Sequence, residues 1–292
     1  MVRFGRSVIL FTLGALLAVL LLACGPTSVP LPTQPTGEPT TTSPSGPPSS
    51  ASNTAELQAD LADGVLYVNS RIVSDGTLRP PAGAKLIFGP SGVIVRTINS
   101  TGSAIDVSSP NVRITNLRVI GSDPCYWTNT LPYNPAAVGE RYSQYDSRRE
   151  EQAALYTRAG SDGLVVDGLF ANDVWGDGVT LLGGKNLTLR NVNVRCAGRT
   201  GISNVDSSGV IVDGGSVSGT LLWGLNIEPT GSRSVSNYVV KNFTMGFTNN
   251  QWLYVGGPGF NCKVSGVDLR GVSLLPQASH QPFVSSCAGV VL

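Results

Sequence analysis

Short runs of β-branched and aliphatic residues recur along this chain, each interrupted by one small residue at the same internal place. They read Val112-Arg-Ile-Thr-Asn116-Leu-Arg-Val, Leu164-Val-Val-Asp-Gly168-Leu-Phe-Ala and Leu187-Thr-Leu-Arg-Asn191-Val-Asn-Val. The pattern returns in Val210-Ile-Val-Asp-Gly214-Gly-Ser-Val, Val239-Val-Lys-Asn242-Phe-Thr-Met and Val264-Ser-Gly266-Val-Asp-Leu. Asn and Gly enter left-handed backbone at the least cost, so each marks a bend joining two short strands. Successive bends lie 52, 23, 23, 28 and 24 residues apart. Such a recurrence, with three short strands per period, predicts a coiled β-solenoid. The longest interval holds two periods and an excursion from Gly121 to about Gln152.

A second strand precedes each run: Ala104-Ile-Asp-Val, Ala154-Leu-Tyr-Thr, Gly178-Val-Thr-Leu, Gly201-Ile-Ser-Asn, Gly224-Leu-Asn-Ile and Trp252-Leu-Tyr-Val. Alternation turns Ile105, Leu155, Val179, Ile202, Leu225 and Leu253 into the core. It turns Asp106, Tyr156, Thr180, Ser203, Asn226 and Tyr254 outward in one column. An antiparallel sandwich would need hairpins between neighbouring strands, whereas here like strands recur one period apart, which favours parallel stacking. Residues 55–63 have helical periodicity and fit a cap over the first coil, where a solenoid must cover its apolar end. The segment from Gly76 to Gly89 fits the opening coils. The fold class expected is therefore all-β, a right-handed parallel β-helix with a short N-terminal helical cap.

The first 53 residues follow a different pattern. Arg3 and Arg6 precede an apolar run from Val8 to Leu22, which closes on Leu21-Leu22-Ala23-Cys24. Residues 1–23 read as a secretory signal, and the small residue before Cys24 resembles a bacterial lipobox, which implies lipidation of Cys24. An ordinary signal peptide beside an incidental cysteine is the plainer alternative. Residues 24–53, after the cysteine, are almost all Pro, Thr, Ser and Gly with one charge at Glu38, a composition that stays an unfolded tether. Residues 54–292 make the β-helix domain. The expected location is the outer face of the cytoplasmic membrane or the cell surface, lipid-anchored, as a monomer.

The chain has 20 Lys+Arg against 19 Asp+Glu, and without Arg3, Arg6 and Glu38 the domain is balanced. No basic stripe is present, which argues against nucleic acid as a partner. Cys125, Cys196, Cys262 and Cys287 form an even set in an exported domain and point to two disulfides. Cys125–Cys196 and Cys262–Cys287 are the favoured pairs, with free buried thiols as the alternative. His280 is the only histidine and no Cys-x-x-Cys occurs, so no metal site or cofactor is expected; no acidic cluster indicates calcium.

The coils from about 65 to 275 resemble the pectate-lyase-like superfamily of parallel β-helix proteins, and in particular secreted bacterial, actinobacterial-type members. The stretches that carry the likeness are Glu151-Gln152, Trp175-Gly-Asp177-Gly-Val, Ala197-Gly-Arg199-Thr-Gly-Ile-Ser and Gly224-Leu-Asn-Ile-Glu228-Pro229. The resemblance implies action on acidic or neutral polysaccharides. This chain departs from it at Ala153, where such relatives tend to carry a histidine.

In the register above, Asp177, Thr200 and Trp223 occupy equivalent positions, Arg199 sits beside Thr200, and Glu228 ends its strand. Asp177, Arg199 and Glu228 thus come from three consecutive coils and are the expected catalytic residues, with Asp173 and Glu151 close by in sequence. Tyr156, Asp173, Trp175, Trp223 and Asn226 are expected to bind substrate, the tryptophans by stacking on sugars. Two carboxylates about 10 Å apart would suit an inverting glycosidase, but Arg199 between them lowers the pKa of a would-be general acid. In a uronate lyase the same cation neutralises the substrate carboxylate, and the base is a carboxylate, a tyrosine such as Tyr145 or Tyr156, or, as the resemblance to β-helix lyases implies, a basic residue. Each of these charges has a structural alternative, Asp177–Arg199 as an ion pair bracing two coils and Glu228 as an acceptor holding the loop at 230–236. The segment 122–152, with Trp127 and several tyrosines, is expected to fold over the groove as a wall or lid. The function expected is that of a cell-surface polysaccharide lyase or glycoside hydrolase. A glycan-binding or adhesion module, or a structural envelope protein, is the alternative.

Overall fold

The computed structural model describes residues 48–97, 99–122, 151–256, 261, 263–276, 282–285 and 289–292. The signal, most of the tether with Cys24, the cysteines at 125, 262 and 287, Tyr145 and nearly all of the expected lid lie outside them. So do the partners needed to test either disulfide.

The chain enters through a helix, α1 (Thr54–Asp60), continued by a single 3-10 turn, Leu61–Asp63. Asn53 Oδ1 accepts from the Glu56 N–H at 3.1 Å, and Glu56 reaches back to the Ser52 N–H at 2.6 Å. Two end donors of the helix are thereby satisfied by side chains. Leu57 and Leu61 are buried in the solenoid core, so the segment read from 55–63 does cover the first coil.

All strand pairing among the described residues is parallel. The opening coils use β1 (Val65–Val68), β2 (Arg71–Ser74), β3 (Lys85–Phe88) and β4 (Val93–Arg96). Thereafter a three-residue strand alternates with a long one. The short ones are β5 (Ile105–Val107), β7 (Leu155–Thr157), β9 (Val179–Leu181), β11 (Ile202–Asn204), β13 (Leu225–Ile227) and β15 (Leu253–Val255). The long ones are β6 (Arg113–Ile120), β8 (Val165–Val174), β10 (Thr188–Ala197), β12 (Ser208–Thr220) and β14 (Val235–Met245). Short β16 (Val264–Asp268), β17 (Val272–Leu274), β18 (Phe283–Val284) and β19 (Val290–Val291) finish the described fold. The five long strands with β1–β4, β16, β17 and β19 build a 12-stranded sheet, and the six short ones with β18 a 7-stranded sheet, with like strands from successive coils side by side. This is an all-β parallel β-helix.

One apolar core runs the length of the coil. The six residues expected to point inward, Ile105, Leu155, Val179, Ile202, Leu225 and Leu253, are all fully buried. Each removes a side chain from water for about 1.5–3 kcal/mol, which is what stacks the coils. The outward column is also as expected in register, Asp106 against Tyr156, then Thr180, Ser203, Asn226 and Tyr254. Facing outward does not leave these residues open, however. Asp106, Tyr156, Thr180, Ser203 and Asn226 are only 4–8 % exposed, and Tyr254 is half-buried.

The bends differ in one respect from the sequence reading. Asn116, Gly168, Asn191, Gly214 and Asn242 do form one file of left-handed residues, and each long strand passes through its bend unbroken. A second file, five residues earlier, holds Asn111, Gly163, Asn186, Gly209 and Asn237, and Gly266 belongs to it, one coil on from Asn237. Asn186, which opens a sequon in the sequence, is a member of this file. Asn and Gly alternate from coil to coil in both files. The reason is steric: a Cβ at Gly168 would meet Asn116 Oδ1 at 2.7 Å, and one at Gly266 would meet Asn237 Oδ1 at 2.8 Å. An asparagine in one coil therefore needs a glycine above it.

Gly168→Ala combines a left-handed backbone with that clash and should lower unfolding stability in urea by about 2 kcal/mol or more. Adding Asn116→Gly should recover the steric part alone; full recovery, or none, would contradict the stacking of these two bends.

Candidate functional site

The short-strand sheet brings one position of every coil into line. Gly178 donates to the Thr200 carbonyl, Gly201 to that of Trp223 and Gly224 to that of Gln251. The three glycines stand in file because nothing larger fits. A Cβ at Gly178 would lie 2.4 Å from Val194 Cγ2, and one at Gly201 equally close to Val217 Cγ1. Asp177, Thr200 and Trp223 precede them as coil equivalents, as the sequence register required.

Asp177 is almost fully buried. Its Oδ2 accepts from Thr180 Oγ1 at 2.9 Å and its Oδ1 from the Thr200 N–H at 3.1 Å. Arg199 Nη1 lies 3.9 Å from the same Oδ1. Donors from its own coil and the next engage both oxygens of this carboxylate. Arg199 keeps 19 % of its side chain exposed, so the guanidinium still reaches the surface. Glu228, half-buried, accepts at Oε2 from Asn226 Nδ2 at 3.1 Å, and the same amide nitrogen contacts Ser203 Oγ at 3.2 Å.

These groups line one cavity of about 220 Å³. Tyr156, Thr180, Ser203 and Asn226, the outward column, belong to its lining. Asp177 and Arg199 join from the preceding bend, and Leu182, Val205 and Glu228 from two residues further along each coil. Glu151 and Arg233 complete it. The cavity thus spans four consecutive coils, about 14 Å along the axis.

The phenol of Tyr156 is electrostatically perturbed. Burial raises its phenol above the ordinary tyrosine value; Glu151, Asp177 and Asp106 push the same way, and Arg158 opposes them. The phenol therefore stays protonated at neutral pH and is a hydrogen-bond and proton donor.

Of the residues expected here, Asp177, Arg199, Glu228, Tyr156 and Asn226 meet in the cavity, and Glu151 joins them. Asp173, Trp175 and Trp223 do not line it. Asp173 sits at the end of β8 in left-handed backbone, bonded to Asn172, with burial raising its carboxyl. Trp175 donates its indole N–H to Ser122 Oγ at 3.0 Å. Trp223 stacks on Tyr254 at 4.2 Å, and Tyr254 on Phe283 at 4.9 Å, a ladder of rings along the coil axis. One face of Trp223 is thereby spent on the next coil rather than offered to a sugar. Leu182 and Val205 follow from the period-2 alternation carried two residues further. Arg233 comes from the loop after Glu228, whose path no repeat in the sequence predicts.

The chain matches no known family model and no curated protein.

Asp177→Ala would strand the Thr200 N–H and the Thr180 hydroxyl in the interior and should cost about 2 kcal/mol of stability in urea unfolding. Glu228→Ala should stay within about 0.5 kcal/mol. Equal losses for the two would contradict the reading of Asp177 as the carboxylate that braces two coils.

Proposed function

We propose that this protein is an exported, lipid-anchored polysaccharide lyase that cleaves an extended uronate-containing glycan laid along the short-strand sheet. The observation that carries the reading is the presence of a cation, a carboxylate and a protonated phenol in one cavity across four coils. The resemblance to pectate-lyase-like β-helix proteins, read from the coil motifs, supports the same class.

Arg199, braced by Asp177, pairs with the substrate carboxylate and acidifies the adjacent C5–H. Glu228 takes that proton as general base, the C4–O bond breaks, and a C4–C5 double bond forms. Tyr156 gives its proton to the departing oxygen; the proton held by Glu228 then returns to the phenolate, so the elimination is neutral overall. Thr180, Ser203 and Asn226 offer hydroxyl and amide groups to sugar hydroxyls. Inverting hydrolysis fits less well, because it needs two carboxyl groups turned to the scissile bond, and Asp177 spends both oxygens on the Thr180 hydroxyl and the Thr200 N–H. A glycan-binding module without chemistry is the second reading, favoured by the polar column, which would serve binding alone.

The purified chain, offered a panel of polysaccharides, should release products that absorb in the ultraviolet through the new double bond. Arg199→Ala and Glu228→Gln should each cut that release by about 10²–10⁴-fold. New reducing ends without absorbance would mean hydrolysis, and retention of polymer without products would mean binding only.

A further inference from the structure

Arg158 is not among the cavity-lining residues, yet its geometry ties it to the phenol that is. It follows Tyr156 by two residues, and the chain equivalents of Arg158 in the next three coils are Leu182, Val205 and Glu228, as the ladder of backbone hydrogen bonds shows. Its Nε donates to Asp106 Oδ2 at 2.7 Å. Asp106 is the residue that pairs with Tyr156 in the neighbouring strand, β5 against β7. The guanidinium carbon then stands 4.6 Å from the centre of the Tyr156 ring. Two coils thus close a triangle of carboxylate, guanidinium and phenol.

The triangle is rigid on one side and wet on the other. The Asp106 side chain is 5 % exposed and that of Arg158 is 42 % exposed. A buried carboxylate anchors the guanidinium more firmly than an exposed one would, because water screens their attraction less. A cation fixed against a phenol ring favours the phenolate over the neutral form. The charges that face Tyr156 are Glu151 from the segment entering β7, Asp106 from the coil before, Asp177 from the coil after, and Arg158. Arg199 and Glu228 share the cavity beyond them. Arg158 is the cation that counters the three nearest carboxylates.

We propose that Arg158 is a positioning residue for Tyr156, locked by Asp106, that stabilises the phenolate left when Tyr156 protonates the departing sugar oxygen. The inference rests on the lyase reading for its role in turnover, but not for the coupling itself. Nothing in the repeat pattern singles Arg158 out, since its coil equivalents are two aliphatic residues and a carboxylate.

Tyrosine labelled at the ring Cζ carbon, with Tyr156→Phe to assign the signal, reads the titration of this phenol in the whole chain by NMR. Arg158→Gln should move that titration upward by about one pH unit, and Arg158→Lys should retain most of the wild-type value. On a uronate polymer, Arg158→Gln should lower kcat by about tenfold with KM within about a factor of two. A titration that stays in place in Arg158→Gln, or that moves equally in Arg158→Lys, would overturn the proposal. If the unaltered chain cleaves no polymer while the titration shifts as expected, the lyase reading fails and the coupling stands.

Discussion

Everything in this protein depends on coils lying over one another in strict register. The parallel ladders carry that register from β1 through β3, β6, β8, β10, β12, β14 and β16 to β19, and the short-strand sheet repeats it from β5 to β18. Backbone hydrogen bonds alone do not choose a register, because a slip by one residue preserves them while turning every side chain to the opposite face. The choice is made by side chains. Aliphatic residues at every second position must stay inside, the two files of left-handed bends must alternate Asn with Gly, and the Gly178–Gly201–Gly224 file admits no side chain. A shift of any coil would violate all three at once.

Register also converts sequence distance into proximity. Asp177 and the Thr200 N–H are 23 residues apart and 3.1 Å distant. Tyr156, Thr180, Ser203 and Asn226 form one column of the cavity only because four strands repeat the same position. The same geometry gives Asp177 its bracing role: it ties its own coil to the next and holds Arg199 near the cavity. The aromatic ladder at Trp223, Tyr254 and Phe283 does a comparable job on the C-terminal side, locking three coils face to face.

Much of this was legible in the sequence, and the reason is repetition. The inward column, the outward column and the glycine file follow from period-2 alternation combined with the recurrence of the coil, and Asp177, Arg199, Glu228, Tyr156 and Asn226 were placed by that arithmetic. The errors arose where repetition stops or doubles. Gly266 was assigned to the wrong file because Asn and Gly mark both bends, and only backbone dihedral angles distinguish them. Closeness in sequence points to Asp173 and flanking of the groove to Trp175, but the chain turns a corner between β8 and β9 and neither lines the cavity. Trp223 gives one face of its ring to Tyr254 one coil on, a contact that no repeat announces. Arg158 and Arg233 carry no repeat signal, since a partner such as Asp106 is visible only once coils are stacked.

Distances between spin labels carried on ketone-bearing residues along one column test the stacking most directly. Lys85, Arg113, Val165, Thr188, Ile211, Val239 and Asp268 are successive partners in the long sheet. With one label at Lys85, a second at Ile211 should lie about 19 Å away and one at Asp268 about 29 Å away, a steady rise of about 4.8 Å per coil. Equal distances for the two pairs, or a shorter one for Asp268, would contradict the parallel stacking and with it the cavity.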